Sequence, residues 1–268
     1  MHFGNSSMVK DLLKTLFDAA VARAQPEHCV PSHLPPPPQG RTIVVGAGKA
    51  GAVMAEAVED ALSSVSESLV VVPYGHKRPC RLINIVEAGH PVPDNAGEKA
   101  ARKILGIASS LGADDLLVCL LSGGGSALLS LPPTGIILDE KRDLTRELLA
   151  CGAGIHDINT VRKHLSDIKG GRLAAAAFPA RTVTLALSDV PGNDPATIAS
   201  GPTVGDATSR KDALEILSCG TEIFPCSAEG CPIQITYRVC IVKSCSQISW
   251  SASQLHFIIL NFNKHIWN

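Results

Sequence analysis

Several segments of this 268-residue chain place glycines beside hydroxyls, amines or carboxylates at spacings that suit anion chemistry. The most informative is Ser122-Gly123-Gly124-Gly125-Ser126, which follows the apolar run Leu116–Leu121. An uninterrupted apolar run reads as a strand buried on both faces. Successive glycines permit positive φ and leave the backbone bare. Their N–H groups can then line a concavity for a phosphate or carboxylate, with a hydroxyl at each end. The C-terminal end of a parallel strand is where open α/β sheets bind ligands. The competing reading is a linker or a tight turn.

A second glycine segment, Gly46-Ala47-Gly48-Lys49-Ala50-Gly51, follows an expected strand (Thr42–Val45) and opens an expected helix (Ala50–Leu62). It matches the dinucleotide pattern G-x-G-x-x-G. That pattern also requires an acid roughly 20 residues on, for the ribose hydroxyls. The next strand ends Val71-Val72-Pro73, and the first acid after it is Glu87. The nicotinamide reading therefore lacks its second support. What remains is a glycine turn with Lys49 at a helix N-terminus, a combination that favours an anion. A solvated surface lysine is the alternative. The chain contains neither a Walker-type P-loop nor the protein-kinase signatures.

Asn159-Thr160-Val161-Arg162-Lys163-His164 collects an amide and cations on one expected helix (Asp157–Ile168), and Lys169-Gly170-Gly171-Arg172 adds two more cations. Asn159 and Lys163 share a face by their spacing of four, and Arg162 and Lys169 by their spacing of seven. A basic pocket and a solvated helix face both fit. Asp189 follows the expected strand Arg181–Leu187, where a carboxylate can take a proton or hold magnesium, or can simply form a turn. Asp194 before Pro195 reads as turn chemistry. His90, between Gly89 and Pro91, fits either a substrate contact or a structural loop histidine.

These residues need a scaffold, and the pattern supplies one. Strands at Thr42–Val45, Leu69–Val72, Leu116–Leu121 and Arg181–Leu187 alternate with helices at Ala50–Leu62, Asn95–Leu111 (capped by Asp94), Asp139–Ala150 and Asp157–Ile168. The expected fold is α/β, a Rossmann-like parallel sheet in a three-layer α/β/α sandwich with an irregular C-terminal tail. An amphipathic helix from Met8 to Ala20, with Ser7 as N-cap, is expected to pack on something. Hydrophobic residues make up 45% of the chain, enough for a real core, and the net charge of −1 offers nothing to attract nucleic acid or an anionic membrane. No apolar stretch reaches the roughly 18 residues of a membrane span, and no signal-peptide pattern opens the chain, so a cytoplasmic protein is expected. Nine cysteines include no Cys-x-x-Cys, which weakens a zinc or redox reading.

The motifs Val45-Gly-Ala-Gly-Lys-Ala50, Glu87-Ala-Gly-His-Pro-Val-Pro-Asp94, Leu121-Ser-Gly-Gly-Gly-Ser-Ala-Leu128, Asn159-Thr-Val-Arg-Lys-His-Leu-Ser166, Lys169-Gly-Gly-Arg-Leu173, Leu187-Ser-Asp-Val190 and Ala199-Ser-Gly-Pro-Thr203 occur in this order. Together they resemble the type II glycerate kinases, the glycerate 2-kinases of the MOFRL family, some of which carry an older hydroxypyruvate reductase label. The resemblance covers about residues 8–218. It implies ATP-dependent phosphorylation of D-glycerate to 2-phosphoglycerate, with ATP and Mg2+, in a cleft between two α/β domains. Glycerate and ATP would be the small-molecule partners. An NAD(P)-dependent hydroxypyruvate reductase and a non-catalytic anion-binding remnant are the alternatives. By this resemblance Lys49 would meet phosphate or the substrate carboxylate, and Ser122, Gly123, Gly124, Gly125 and Ser126 would cradle nucleotide phosphates. Gly46, Gly48, His90, Asn159 and Gly170 would join them in binding. Arg162, Lys163 and Lys169 would neutralise developing charge. Asp189 would orient or deprotonate the attacking hydroxyl and is the candidate magnesium ligand.

Beyond about residue 218 the texture changes. Five of the nine cysteines (Cys219, Cys226, Cys231, Cys240, Cys245) and both tryptophans lie there, and the run Leu255–Asn263 is apolar without a clear period. Residues 219–268 are therefore expected to be a divergent, poorly ordered tail that was not selected to fold with the rest. Full-length members of the resembled family continue into a C-terminal domain that forms the other wall of the cleft. The tail resembles none of it, and loss of much of the active site is the expectation.

Overall fold

Thr42–Ala47 (β1) and Leu116–Ser122 (β4) are buried along their whole length, as strands are when helices cover both faces of a sheet. The computed structural model describes residues 6–223 and 255–260. In chain order it contains α1 (Ser6–Arg23), α2 (Pro26–Cys29), β1, α3 (Gly51–Ala61), β2 (Glu67–Pro73), β3 (Ile85–Ala88), α4 (Asn95–Ala108) and β4. These are followed by α5 (Gly125–Leu128), α6 (Leu138–Ala150), α7 (Ile155–His164), α8 (Arg172–Ala177), β5 (Arg181–Leu187), α9 (Arg210–Ile223) and β6 (Leu255–Leu260). All pairings are parallel, in the order β3-β2-β1-β4-β5-β6. That is the doubly wound order, and its switch point falls between β1 and β4. The expected α/β class and Rossmann-like sheet are therefore present.

Alternate residues of each buried strand point to opposite faces. Val45, Val71, Cys119 and Leu121 pack with Ala101, Ile104 and Ala108 of α4 and Leu173 of α8. Val44, Val70, Val118 and Leu120 pack with Met54, Ala55 and Val58 of α3 on the other side. A third cluster joins α6, α7 and α9 through Leu144, Leu148, Ile158, Val161 and Ala213. Asp94 caps α4 as expected, accepting the Gly97 N–H at 2.9 Å.

Three expectations change. The helix expected over Asp157–Ile168 stops at His164. Ser166 Oγ accepts the N–H groups of Ile168 and Lys169 at 3.3 Å each, a local bonding pattern that competes with continuing the helix. The last carbonyls of α7 are claimed from elsewhere: Leu165 O by Lys141 Nζ at 2.6 Å and Lys163 O by Arg172 Nη1 at 3.0 Å. Lys169 thus lies beyond the helix, and a shared helical face with Arg162 does not form. The amphipathic stripe of α1 is uncovered among the described residues: Met8, Val9, Leu12, Leu13, Leu16 and Phe17 are all exposed. Finally, Leu255–Leu260 is an edge strand paired with Thr182–Leu187, since a short apolar run cannot be assigned from periodicity alone. Of the tail read as 219–268, the end of α9 and β6 are described, and the remainder lies outside the described residues.

Gly46 sits opposite Leu120 in the β1–β4 ladder, and a Cβ there would fall inside the van der Waals shell of the Leu120 carbonyl and side chain. Gly46→Ala is expected to cost about 1–3 kcal/mol through this overpacking, read as a lower urea midpoint at unchanged m-value.

Candidate active site

The two glycine segments meet at the switch point and bind each other. Lys49 N–H donates to Gly123 O at 2.9 Å, and Ala50 N–H donates to Ser122 Oγ at 3.0 Å. Gly51 N–H donates to Gly48 O at 3.0 Å. Three N–H groups that the sequence offered to an anion at the start of α3 are therefore already used. Gly48, at φ +144°, lets Ser122 approach so closely that any Cβ would collide with its hydroxyl and carbonyl. Gly46 and Gly48 act in packing, and the first glycine segment seats the second.

The second segment keeps its donors. Among the described residues, the N–H groups of Gly124, Gly125 and Ser126 donate to no protein acceptor. Gly124 lies at φ +87°, where an L side chain is strained, and a Cβ there would fall 2.8 Å from the His90 ring. Gly123 is pressed from the other side by the Asp189 carboxylate, which would collide with a Cβ. The loop is thus flanked by an imidazole and a carboxylate, delivered by the segment after β3 and by the end of β5. Burial, then the nearby Lys49 and His76 charges, push the His90 imidazole below the ordinary histidine value. Lys49 and Asp189 are exposed, and the Lys49 ammonium has no ion pair among the described residues.

Lys169 joins this group from below. Its side chain is only 1% exposed, and its Nζ donates to Ser126 O at 2.7 Å and lies 3.2 Å from Ser126 Oγ. Ser126 Oγ is 2.8 Å from Ser200 Oγ. Burial, then the Lys141 and Arg162 charges, hold the Lys169 amine well below the ordinary lysine value. Lys141 is a buried cation near Arg162 that the sequence did not disclose. On α6 it reads as a surface lysine, yet it is buried, and burial together with the Arg162 charge brings it down to about 7. Only the paradox of a lysine on the apolar face of a helix signals it. Arg162 is half-buried, lowered by burial, and its guanidinium has no hydrogen bond or ion pair among the described residues.

The remaining basic residues are used differently. Lys163 pairs with Asp206 at 3.4 Å, and His164 lies 3.6 Å from the same carboxylate. Gly170, at φ +59°, packs against Asp206 and Arg172. Asn159 is buried on α7, one turn before Lys163. Asn159, Lys163 and His164 are buried rather than on a solvated helix face, and Gly170 is half-buried. Asp194 accepts from Ala196 N–H and Thr197 Oγ1 in a turn, as its position before proline suggested. Among the described residues no three His, Cys, Asp or Glu side chains cluster as a metal cage, and no helix is long and apolar enough to cross a membrane.

A family profile described as a domain of unknown function (DUF4147) matches residues 12–223. A protein from Agrobacterium vitis with a provisional hydroxypyruvate reductase name is 54% identical over 215 residues, covering 80% of this chain and 49% of its own. The D-glycerate 2-kinase of Thermotoga maritima is 43% identical over 211 residues, covering 78% of this chain and 51% of its own. A crystal structure of glycerate kinase from Thermotoga maritima superposes with a TM-score of 0.83 at 36% identity, covering 94% of this chain and 59% of that one. The chain spans about half the length of the curated relatives it matches.

The buried lysines carry a pH signature. Lys141 titrates near 7 in the fold and near 10.5 when unfolded. Between those values the unfolded chain binds the extra proton, so stability rises with pH through that window and falls as pH drops toward 7. Urea midpoints are expected to increase from pH 7 to pH 9, with a smaller increase in Lys141→Met.

Proposed function

The chain belongs to the glycerate 2-kinase family that carries the DUF4147 domain, and on that premise we propose that its sheet-tip site binds ATP phosphates and D-glycerate for transfer of the γ-phosphoryl group to the 2-hydroxyl. Glycerate kinase is the name carried by several of its relatives. The observation that carries the reading for this chain is the run of three free N–H donors at Gly124, Gly125 and Ser126, flanked by Asp189 and His90. Phosphoryl transfer asks mainly for positioning and charge stabilisation, and free backbone donors beside unpaired cations supply both.

In this reading the loop holds nucleotide phosphate, Lys49 meets the transferring group, and Arg162 takes the remaining negative charge. Asp189 orients the attacking hydroxyl and accepts its proton. Lys163 and Lys169, bonded to Asp206 and Ser126, support α7 and the loop rather than meeting substrate. Magnesium keeps several waters and is held through one or two carboxylates plus substrate phosphates. Asp189 beside a phosphate loop fits that mode, and the bound ion would offset phosphate charge. The compartment proposed is the cytoplasm. The region 8–218 is proposed as the α/β unit that supplies this site.

Calorimetry with ATP·Mg2+ and with D-glycerate tests the proposal. Both ligands are expected to bind, and Lys49→Ala is expected to weaken ATP by about tenfold or more, the loss of one charge-assisted contact. ADP release that requires D-glycerate and is lost in Asp189→Asn is the stronger form of the same result. NADH oxidation with hydroxypyruvate, without ATP binding, would replace the kinase reading with the reductase.

A further inference from the structure

The contacts among Lys169, Ser126 and Ser200 exceed what is needed to hold a phosphate loop. An amine, a half-buried hydroxyl and a fully buried hydroxyl stand in line, at 3.2 Å and 2.8 Å. Lys169 has no carboxylate partner among the described residues. Its electrostatic neighbours are the cations Lys141 and Arg162, and it is enclosed, and both effects disfavour the charged amine. A neutral amine donates two protons and accepts one. With one N–H committed to Ser126 O at 2.7 Å, its lone pair is available to the Ser126 O–H.

The third member is held at a conformational cost. Ser200 lies at φ +60°, between Ala199 at +51° and Gly201 at +57°. Left-handed conformations are unfavourable at non-glycine residues and persist where the surroundings enforce them. Here Gly170 N–H donates to Ser200 O at 3.1 Å and Gly171 N–H to Gly201 O at 2.8 Å. These bonds tie the strained turn to the segment that carries Lys169, so base and hydroxyls are positioned as one unit.

We propose that Ser126 is an activated nucleophile, served by Lys169 as base and Ser200 as a hydroxyl partner, that accepts an acyl group from a small carboxylic ester. An amine that relieves a serine of its proton is one established way to activate a hydroxyl. Ser126 Oγ adds to the ester carbonyl while its proton passes to Lys169 Nζ. The carbon–oxygen bond to the leaving group then breaks, and the departing alkoxide takes that proton from Lys169. The product is acyl-Ser126 and a free alcohol. The free N–H groups of Gly124 and Gly125 are donors for the oxyanion formed between these steps. None of this requires ATP or D-glycerate, so it stands or falls apart from the kinase reading.

The test is acylation of the folded chain by p-nitrophenyl acetate, followed by peptide mass spectrometry and nitrophenolate release. Acetyl-Ser126 is expected, absent in Ser126→Ala and formed about 100-fold more slowly in Lys169→Met, the lower range for loss of a general base. Because Lys169 is buried and its replacement can unfold the chain, Ser200→Ala provides a second variant, expected to slow acylation at an unchanged thermal midpoint. Acetylation confined to surface lysines, with Ser126 unmodified in the folded chain, would overturn the proposal. So would Ser126 labelling that neither Lys169→Met nor Ser200→Ala slows.

Discussion

The site depends on the interlock between the two glycine segments at the β1–β4 switch point. Lys49 N–H to Gly123 O and Ala50 N–H to Ser122 Oγ join the start of α3 to the end of β4, and Gly48 allows the approach. Because the α3 donors are consumed there, the free donors lie only one strand over, at Gly124–Ser126. The sheet order brings the two segments side by side, since β1 and β4 are neighbours despite their separation in sequence. A residue with a Cβ at Gly48 would separate the loops before any ligand arrived.

Charge is the second constraint. Lys141 and Lys169 are buried close to the Arg162 guanidinium, and burial together with that neighbouring charge disfavours their charged forms. The fold reduces the penalty by turning both lysines toward carbonyls: Lys141 to Leu165 O and Lys169 to Ser126 O. Those carbonyls lie at the end of α7 and within the glycine loop, so the same contacts that moderate the charge also shape the site. The Arg162 guanidinium has no such partner among the described residues. Lys163 and His164 follow the more ordinary solution and share the Asp206 carboxylate.

Much of the scaffold was legible in the sequence. β1, β2 and β4 are mainly apolar runs whose burial on both faces leaves little periodicity to mislead, and Asp94 marks the start of α4 by a capping preference that is local. β3, α5 and β6 were not legible: Ile85–Ala88 and Gly125–Leu128 are four residues each, and Leu255–Leu260 is a strand only because β5 offers an open edge. Among site residues, the Ser122–Ser126 loop, Lys49, His90 and Asp189 come together as their motifs suggested. The burial of Lys141 and the strained turn at Ser200 were not legible, because nothing local distinguishes a buried lysine or a strained serine from exposed ones.

The sequence by itself therefore determined the α/β class, the order of the main strands and helices, and which glycine-rich segment lies at which strand end. Those properties follow from apolar run length, capping and backbone freedom, which act over a few residues. Only the tertiary structure decided which N–H groups stay free, which lysines lose their surroundings of water, and which hydroxyl meets which amine. Those outcomes depend on groups far apart in the chain, such as Ser126 and Ser200 or Lys141 and Leu165. Desolvation and hydrogen-bond competition between such groups exist only once the sheet has brought them together.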